Sequence, residues 1–331
     1  MGAHRKKAPK STEPQPPRLN APRPRAIPEK LMNDVHKLLD AREFKGIEEA
    51  NRFLATLTGP GLENALQELD DPPTPQEEAQ ELARQAMDAT TAGQARKLAK
   101  QSLAKDPDCV DALIVLTEVD AKSAEEAIFG MERAVAAGER SMGGADFFKK
   151  NKGSFWGLMN TRPYMRARFE LADLLLDDGR ISEAVPHFEA LLELNPNDNQ
   201  GVRDALLGCY LAQDDLDGAG RLLRDYPGET SAVFSWGRVL AALLAGEVDN
   251  AQRALNRARK QNRYVERYLS GELLPTQNLP DSFTFGSKEE AILCVVGLSD
   301  ALASHPDWML WIWEQLGFTP PPEQVFQGRL F

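Results

Sequence analysis

Cysteine, histidine and aromatic side chains are all scarce in this chain. The three cysteines, Cys109, Cys209 and Cys294, are odd in number and far apart. They form no CxxC pair and no disulfide framework, so each is expected as a small buried side chain in a reducing compartment. The four histidines, His4, His36, His187 and His305, make no ligand pair at i, i+3 or i, i+4, which removes the common helical zinc arrangements. There is no Gly-rich phosphate loop and no HExxH. "SLAK", Ser102 to Lys105, fits S-x-x-K, but the companion S-D-N and K-T-G motifs are missing and the tetrapeptide lies inside a helical segment. No cofactor, no metal and no catalytic activity are therefore expected. Long apolar runs are also lacking. The best, "AILCVVGL", stops at eight residues, where a membrane span needs roughly 18. The first residues have no apolar secretory core. They are basic and poor in acids, as a transit peptide is, but their prolines oppose an amphipathic helix. A cytoplasmic protein with no membrane role is the expectation.

Charge is present in quantity and is unevenly placed. The chain carries a net charge of -11 over 331 residues, yet residues 1–30 hold eight Lys/Arg against two Asp/Glu. The remainder therefore carries 31 Lys/Arg and 48 Asp/Glu. A basic, Pro-rich segment of this kind has almost nothing apolar to bury and is expected to be a disordered tail over residues 1–27. It either rests against its own acidic body or serves as an arm for nucleic acid or an acidic partner. No aromatic residue lies in it to stack on bases.

The body repeats. In "FELADLLLDDGRISEAVPHFEALLELNPND", Leu171, Ala172 and Leu175 share one helix face, Gly179 suits a left-handed helix end, and Ala184, Phe188 and Leu191 share a second face. Ala95, Ala127, Ala184, Ala219 and Ala251 take equivalent places at spacings of 32, 57, 35 and 32. Three spacings are close to one unit, and the fourth is a unit plus an insert. No strand-like alternation competes. The helix–turn–helix unit resembles the tetratricopeptide repeat, whose small residues sit where its two helices cross. The resulting expectation is all-α: a right-handed solenoid of about five helix hairpins with capping helices at both ends. N-terminal helices and a connector fill residues 28–75, the solenoid fills 76–264 with an insert at about 142–164, and a loop and capping helices follow over 265–331. Single copies fall at 76–107, 108–141, 165–198, 199–230 and 231–264.

The insert runs into "GSFWGLMNTRPYMRAR". Pro163 suits the first turn of the helix that follows, and Arg162 and Arg166, four apart, share a face of it. In tetratricopeptide repeats the first helix of each pair lines the concave groove. By that resemblance Arg166, Phe169 and Asp173, together with Trp236, face the groove. Two readings are open. Phe155, Trp156, Arg162, Tyr164, Arg166, Phe169 and Trp236 could form a site that grips an acidic peptide tail or a phosphorylated group with arginine forks and aromatic contacts. Alternatively, Phe155 and Trp156 plug the gap that an insert creates while the arginines pair with Asp173, Asp177 and Asp178. "HPDWMLWIWEQLGF" similarly reads as an end cap or a docking patch, and "LNPNDNQGV" as a turn plus a helix start.

"FWGLMNTRPYMRARFELA", "LNPNDNQGVR", "EEANRFL" and "FTFGSKEEAI", spread over about residues 30 to 315, are similar to a mostly bacterial group of tetratricopeptide proteins. That group has a similarity to the eukaryotic family named for suppression of tumorigenicity. Where such proteins carry a Thr-Pro-Gly-Ala run near the end, this chain has "SHPDWMLW". The resemblance implies a fold rather than an activity. The function expected is a non-enzymatic scaffold or adaptor that binds a partner segment in its concave groove. The alternative is nucleic-acid or ribosome association through the basic tail.

Overall fold

The computed structural model describes residues 26–57, 60–67, 72–274, 279–280 and 282–318. Most of the expected tail, residues 1–25, lies outside the described residues. The first helix begins at Ala26, two residues inside the expected tail.

Among the described residues the structure is all helix, with eighteen α-helices, two 3-10 turns and no strand. Ten of the helices form five hairpins: α4 (Pro75–Met87) with α5 (Ala92–Lys105), α6 (Val110–Asp120) with α7 (Ala124–Ser141), α9 (Arg162–Asp177) with α10 (Ile181–Leu194), α11 (Val202–Ala212) with α12 (Leu216–Asp225), and α13 (Ala232–Leu244) with α14 (Val248–Gln261). Each hairpin packs on the next, so the stack is a solenoid of the tetratricopeptide type. The aligned alanines explain the close packing. Ala95, Ala127, Ala184, Ala219 and Ala251 are all buried, since a methyl group is all that fits where paired helices cross.

Local chemistry sets the helix ends. Thr74 and Glu77 close a reciprocal capping box on α4, and Thr91, Ser123, Asp215 and Ser231 accept from the first-turn amides of their helices. Gly179 (φ 77°) and Gly246 (φ 71°) end α9 and α13 in the left-handed region. Beyond each, the next amide reaches back to the helix, Arg180 N donating to Leu175 O at 2.8 Å and Glu247 N to Ala242 O at 2.8 Å. Asp214 (φ 58°) takes that place after α11. "LNPNDNQGV" is indeed a turn and helix start, because the Asp198 carboxylate accepts from Val202 N (2.8 Å) and Arg203 N (3.1 Å).

The insert holds α8 (Ala145–Asn151) and two 3-10 turns, Phe155–Gly157 and Met159–Thr161. Phe155 is fully buried among Phe147, Phe148 and Tyr164, with ring centroids 5.0–6.2 Å apart. These four rings form a small aromatic core that joins the insert to α9.

The final helices depart from a simple end cap. α16 (Lys288–Gly297) packs on α13 and α11, and α17 (Ser299–Ser304) packs on α11, so both fold back against the first helices of the last two hairpins. Buried Glu290 fastens this return. It accepts from Ala232 N at 2.8 Å, Asn262 Nδ2 at 2.9 Å and Gly286 N at 2.6 Å. Glycine makes the close approach possible: a methyl added at Gly208 on α11 would stand 2.1 Å from the Gly297 carbonyl oxygen. Gly208→Ala is expected to cost about 2–3 kcal/mol by overpacking. Gly93→Ala, where a methyl meets nothing within 4 Å, should be neutral or slightly stabilising. Equal urea midpoints for the two variants would refute the close-approach argument. α18 (Pro306–Leu316) does cap the stack. Trp308, Ile312 and Trp313 are buried, and Trp313 Nε1 donates to Leu269 O at 2.8 Å.

Candidate functional site

The first helices of the hairpins, together with α16, α17 and the chain around Leu279–Phe285, enclose a cavity of about 1110 Å³. Nine carboxylates line it, on Asp111, Glu118, Glu170, Asp173, Asp177, Asp204, Glu229, Glu290 and Asp300, against two arginines, Arg166 and Arg203. The groove is therefore acidic.

Both arginines are already engaged. Arg166, on α9, is held by two carboxylates at once. Its Nε and Nη2 donate to Asp111 on α6 at 3.1 and 2.7 Å, and its Nη1 donates to both oxygens of Glu29 on α1 (Ala26–Asp40) at 2.7 and 2.9 Å. Burial lowers the Arg166 pKa, but Asp111 and Glu29 outweigh it and the net shift is upward. Gln80 Nε2 donates to Asp111 at 2.5 Å and completes the shell of a carboxylate with no exposed surface. Arg162 lies beneath, with Nε donating to Trp156 O at 3.1 Å, the guanidinium 4.8 Å from the Trp156 ring centroid, and Nη1 3.7 Å from Glu29. Arg203 pairs with Glu229 at 2.5 Å.

The expected pairing of the insert arginines with Asp173, Asp177 and Asp178 is thus replaced by Asp111 and Glu29, residues 55 and 137 positions away from Arg166. Asp173, Asp177, Asp204 and Asp300 form no ion pair with Lys or Arg among the described residues, although the Arg203 charge acts on Asp204. Burial, and then Asp177 beside it, pushes the Asp173 carboxyl up to about 6. Asp177 is raised by burial and by Asp300. Asp204 is pushed up to about 7 by burial first and then by Glu229, and its Oδ1 is buried without a hydrogen-bond partner. These acids are spread along the wall. Among the described residues no three His, Cys, Asp or Glu side chains are gathered around one metal-sized point. Apolar surface interleaves them: Phe169 and Leu176 on α9, and Phe283 with Phe285, an edge-to-face pair at 5.9 Å.

The residues singled out from sequence divide into three. Phe169, Trp156 and Arg166 line the cavity. Phe155 and Tyr164 are in the aromatic core of the insert, and Arg162 is 9% exposed under Trp156. Trp236, expected to face the groove, is 1% exposed and packed in the core, because α13 packs against both α14 and α16. Ser102 is no nucleophile in waiting: its buried hydroxyl donates to Ala79 O at 2.7 Å. Cys209 lines the cavity, but burial pushes its thiol up to about 12, so it is not a thiolate near neutrality. Glu29, Asp111, Asp204 and Asp300 were missed by sequence reasoning. The only available signal was the spacing of Asp173 and Asp177, which puts two acids on one helix face.

Residues 175–243, from the end of α9 through most of α13, match the model of the tetratricopeptide repeat family. The match begins after the "FWGLMNTRPYMRAR" stretch, and no curated protein sequence matches the chain.

Proposed function

We propose that this protein is a non-enzymatic adaptor whose concave groove holds a segment of a partner protein. Tetratricopeptide repeats generally mediate protein–protein interactions. The observation that carries the reading is the groove itself, a cavity of about 1110 Å³ with acidic walls and an apolar rim. Phe285 is 62% exposed and Phe283 42% exposed at that rim. Aromatic side chains left in solvent beside a concave surface are suited to close over an incoming segment. The charge of the wall favours a basic or neutral segment over the acidic one expected from the arginines, since both lining arginines are spent on internal carboxylates.

Phe283→Ala/Phe285→Ala is expected to leave the melting temperature within about 2 °C of wild type, as exposed substitutions do. It should weaken partner binding at least tenfold, about 1.4 kcal/mol. The check is quantitative recovery of proteins co-purifying with the tagged full chain from its native cells, wild type against double variant. The same partners at the same yield from both would overturn the groove as the binding surface.

A further inference from the structure

The groove and the first residues of the same chain are opposite in charge, and α1 ties them together. Residues 1–25 contain seven Lys/Arg, one Asp/Glu and six prolines. The segment joins α1 at Ala26, and Glu29, one helical turn later, is fixed to the lining residue Arg166 by bonds of 2.7 and 2.9 Å. The junction with this segment therefore lies one helical turn from Glu29, whose partner Arg166 is part of the groove wall. At about 3.1 Å per residue a Pro-rich segment of this length reaches roughly 75 Å, more than enough to cross a cavity of about 1110 Å³. Two further observations point to a cationic occupant. Asp204 Oδ1 is buried with no hydrogen-bond partner, and along the wall Asp177 adds its charge to Asp173 and Asp300 adds its charge to Asp177, with no ion pair to Lys or Arg among the described residues. The exposed Phe283 and Phe285 rings add the surface on which proline rings pack.

We propose that residues 1–25 occupy the acid-lined groove in cis, with lysines and arginines against Asp173, Asp177 and Asp300 and prolines against Phe169, Phe283 and Phe285. This rests on the reading of the groove as a peptide-binding surface and deepens it. The tethered segment competes with any partner segment for the same wall, at an effective concentration on the order of millimolar. An acidic wall repels phosphate, so a nucleic acid and the groove draw the same cationic residues in opposite directions.

The test is zero-length carbodiimide coupling of amines to carboxylates on the full-length chain, followed by peptide mapping. Lys6, Lys7 or Lys10 should couple to Asp173, Asp177 or Asp300 within single chains, and 0.5 M NaCl should suppress the links. Asp173→Asn/Asp177→Asn/Asp300→Asn removes like-charge repulsion and should fold at least as well as wild type. In it, trypsin should cut the Arg18–Leu19 bond at least fivefold faster than in wild type at low salt. Links found only between copies would overturn the proposal, as would cleavage at equal rates in the two proteins. So would RNA retained by the tail with no link to the groove. The two readings fail separately. If the links are absent but Phe283→Ala/Phe285→Ala loses its partner, only the cis assignment falls. If the links form and that variant keeps every partner, only the adaptor reading falls.

Discussion

Arg166→Ala is expected to cost about 3–5 kcal/mol of stability, because it leaves a buried carboxylate without its counter-charge. Asp111 has no exposed surface, and Arg166 supplies two of its hydrogen bonds, at 3.1 and 2.7 Å. Gln80 alone remains to it, at 2.5 Å. Glu29 loses both of its Arg166 hydrogen bonds in the same step and keeps only Arg162, 3.7 Å away, so α1 should also become more accessible to protease than the hairpins. Arg166→Lys should rescue little, since one ammonium cannot hold two carboxylates in forked geometry. The decisive control is Arg166→Met/Asp111→Leu, which removes both charges and should recover most of the loss. Urea denaturation followed by circular dichroism reads all four proteins. A loss below about 1 kcal/mol for Arg166→Ala would mean that water reaches Asp111 and that the triad is a surface feature. No recovery in the double variant would mean that shape, not charge, sets the cost.

How much of this could be read from the sequence depended on how local each cause was. The hairpins were legible because every unit repeats the same requirement, a small residue at the helix crossing, met by Ala95, Ala127, Ala184, Ala219 and Ala251, all buried. Helix ends were legible where the backbone needs positive φ, at Gly179 and Gly246. Pro163 correctly marked the start of α9. The plug reading of the insert was available in Phe155, but its companions Phe147 and Phe148 precede it and were not singled out. Trp236 is buried rather than facing the groove because α16 folds back onto the last hairpin. That cover depends on Gly208 and Gly297 meeting across 89 positions of sequence. The arginine partners were illegible for the same reason. No periodicity within a hairpin refers to Glu29, which lies 137 positions from Arg166.

Asp204→Asn is expected to stabilise the protein at pH 8 by about 2–4 kcal/mol, the free energy of a shift of roughly three pKa units at 1.36 kcal/mol each, reduced for relaxation. The Asp204 carboxyl titrates at about 7 in the fold, against an ordinary value of 3.8, mainly through burial. The folded state therefore takes up a proton as pH falls through 7, while the unfolded chain does so only near 3.8. Wherever the folded state holds more protons, stability falls as pH rises. Wild type should thus gain stability on acidification from pH 8 to about 5, with Asp173, at about 6, adding to the lower part of that window. Asp204→Asn should show a flatter profile from a higher starting point, and Asp173→Asn should flatten only its acid side. Urea midpoints at half-unit pH steps measure this directly. Two results would show that Asp204 is solvated or paired: a wild type that loses stability between pH 8 and 5.5, or an Asp204→Asn variant weaker than wild type at pH 8. An ionised carboxylate that costs stability while unpaired returns that energy when a cation binds, because a ligand that prefers the folded state adds its binding free energy to folding. The full chain, with its own Lys/Arg-bearing segment in the groove, should accordingly show a flatter pH profile than a form lacking residues 1–25, and by the same reciprocity that segment should bind more weakly as pH falls below 7.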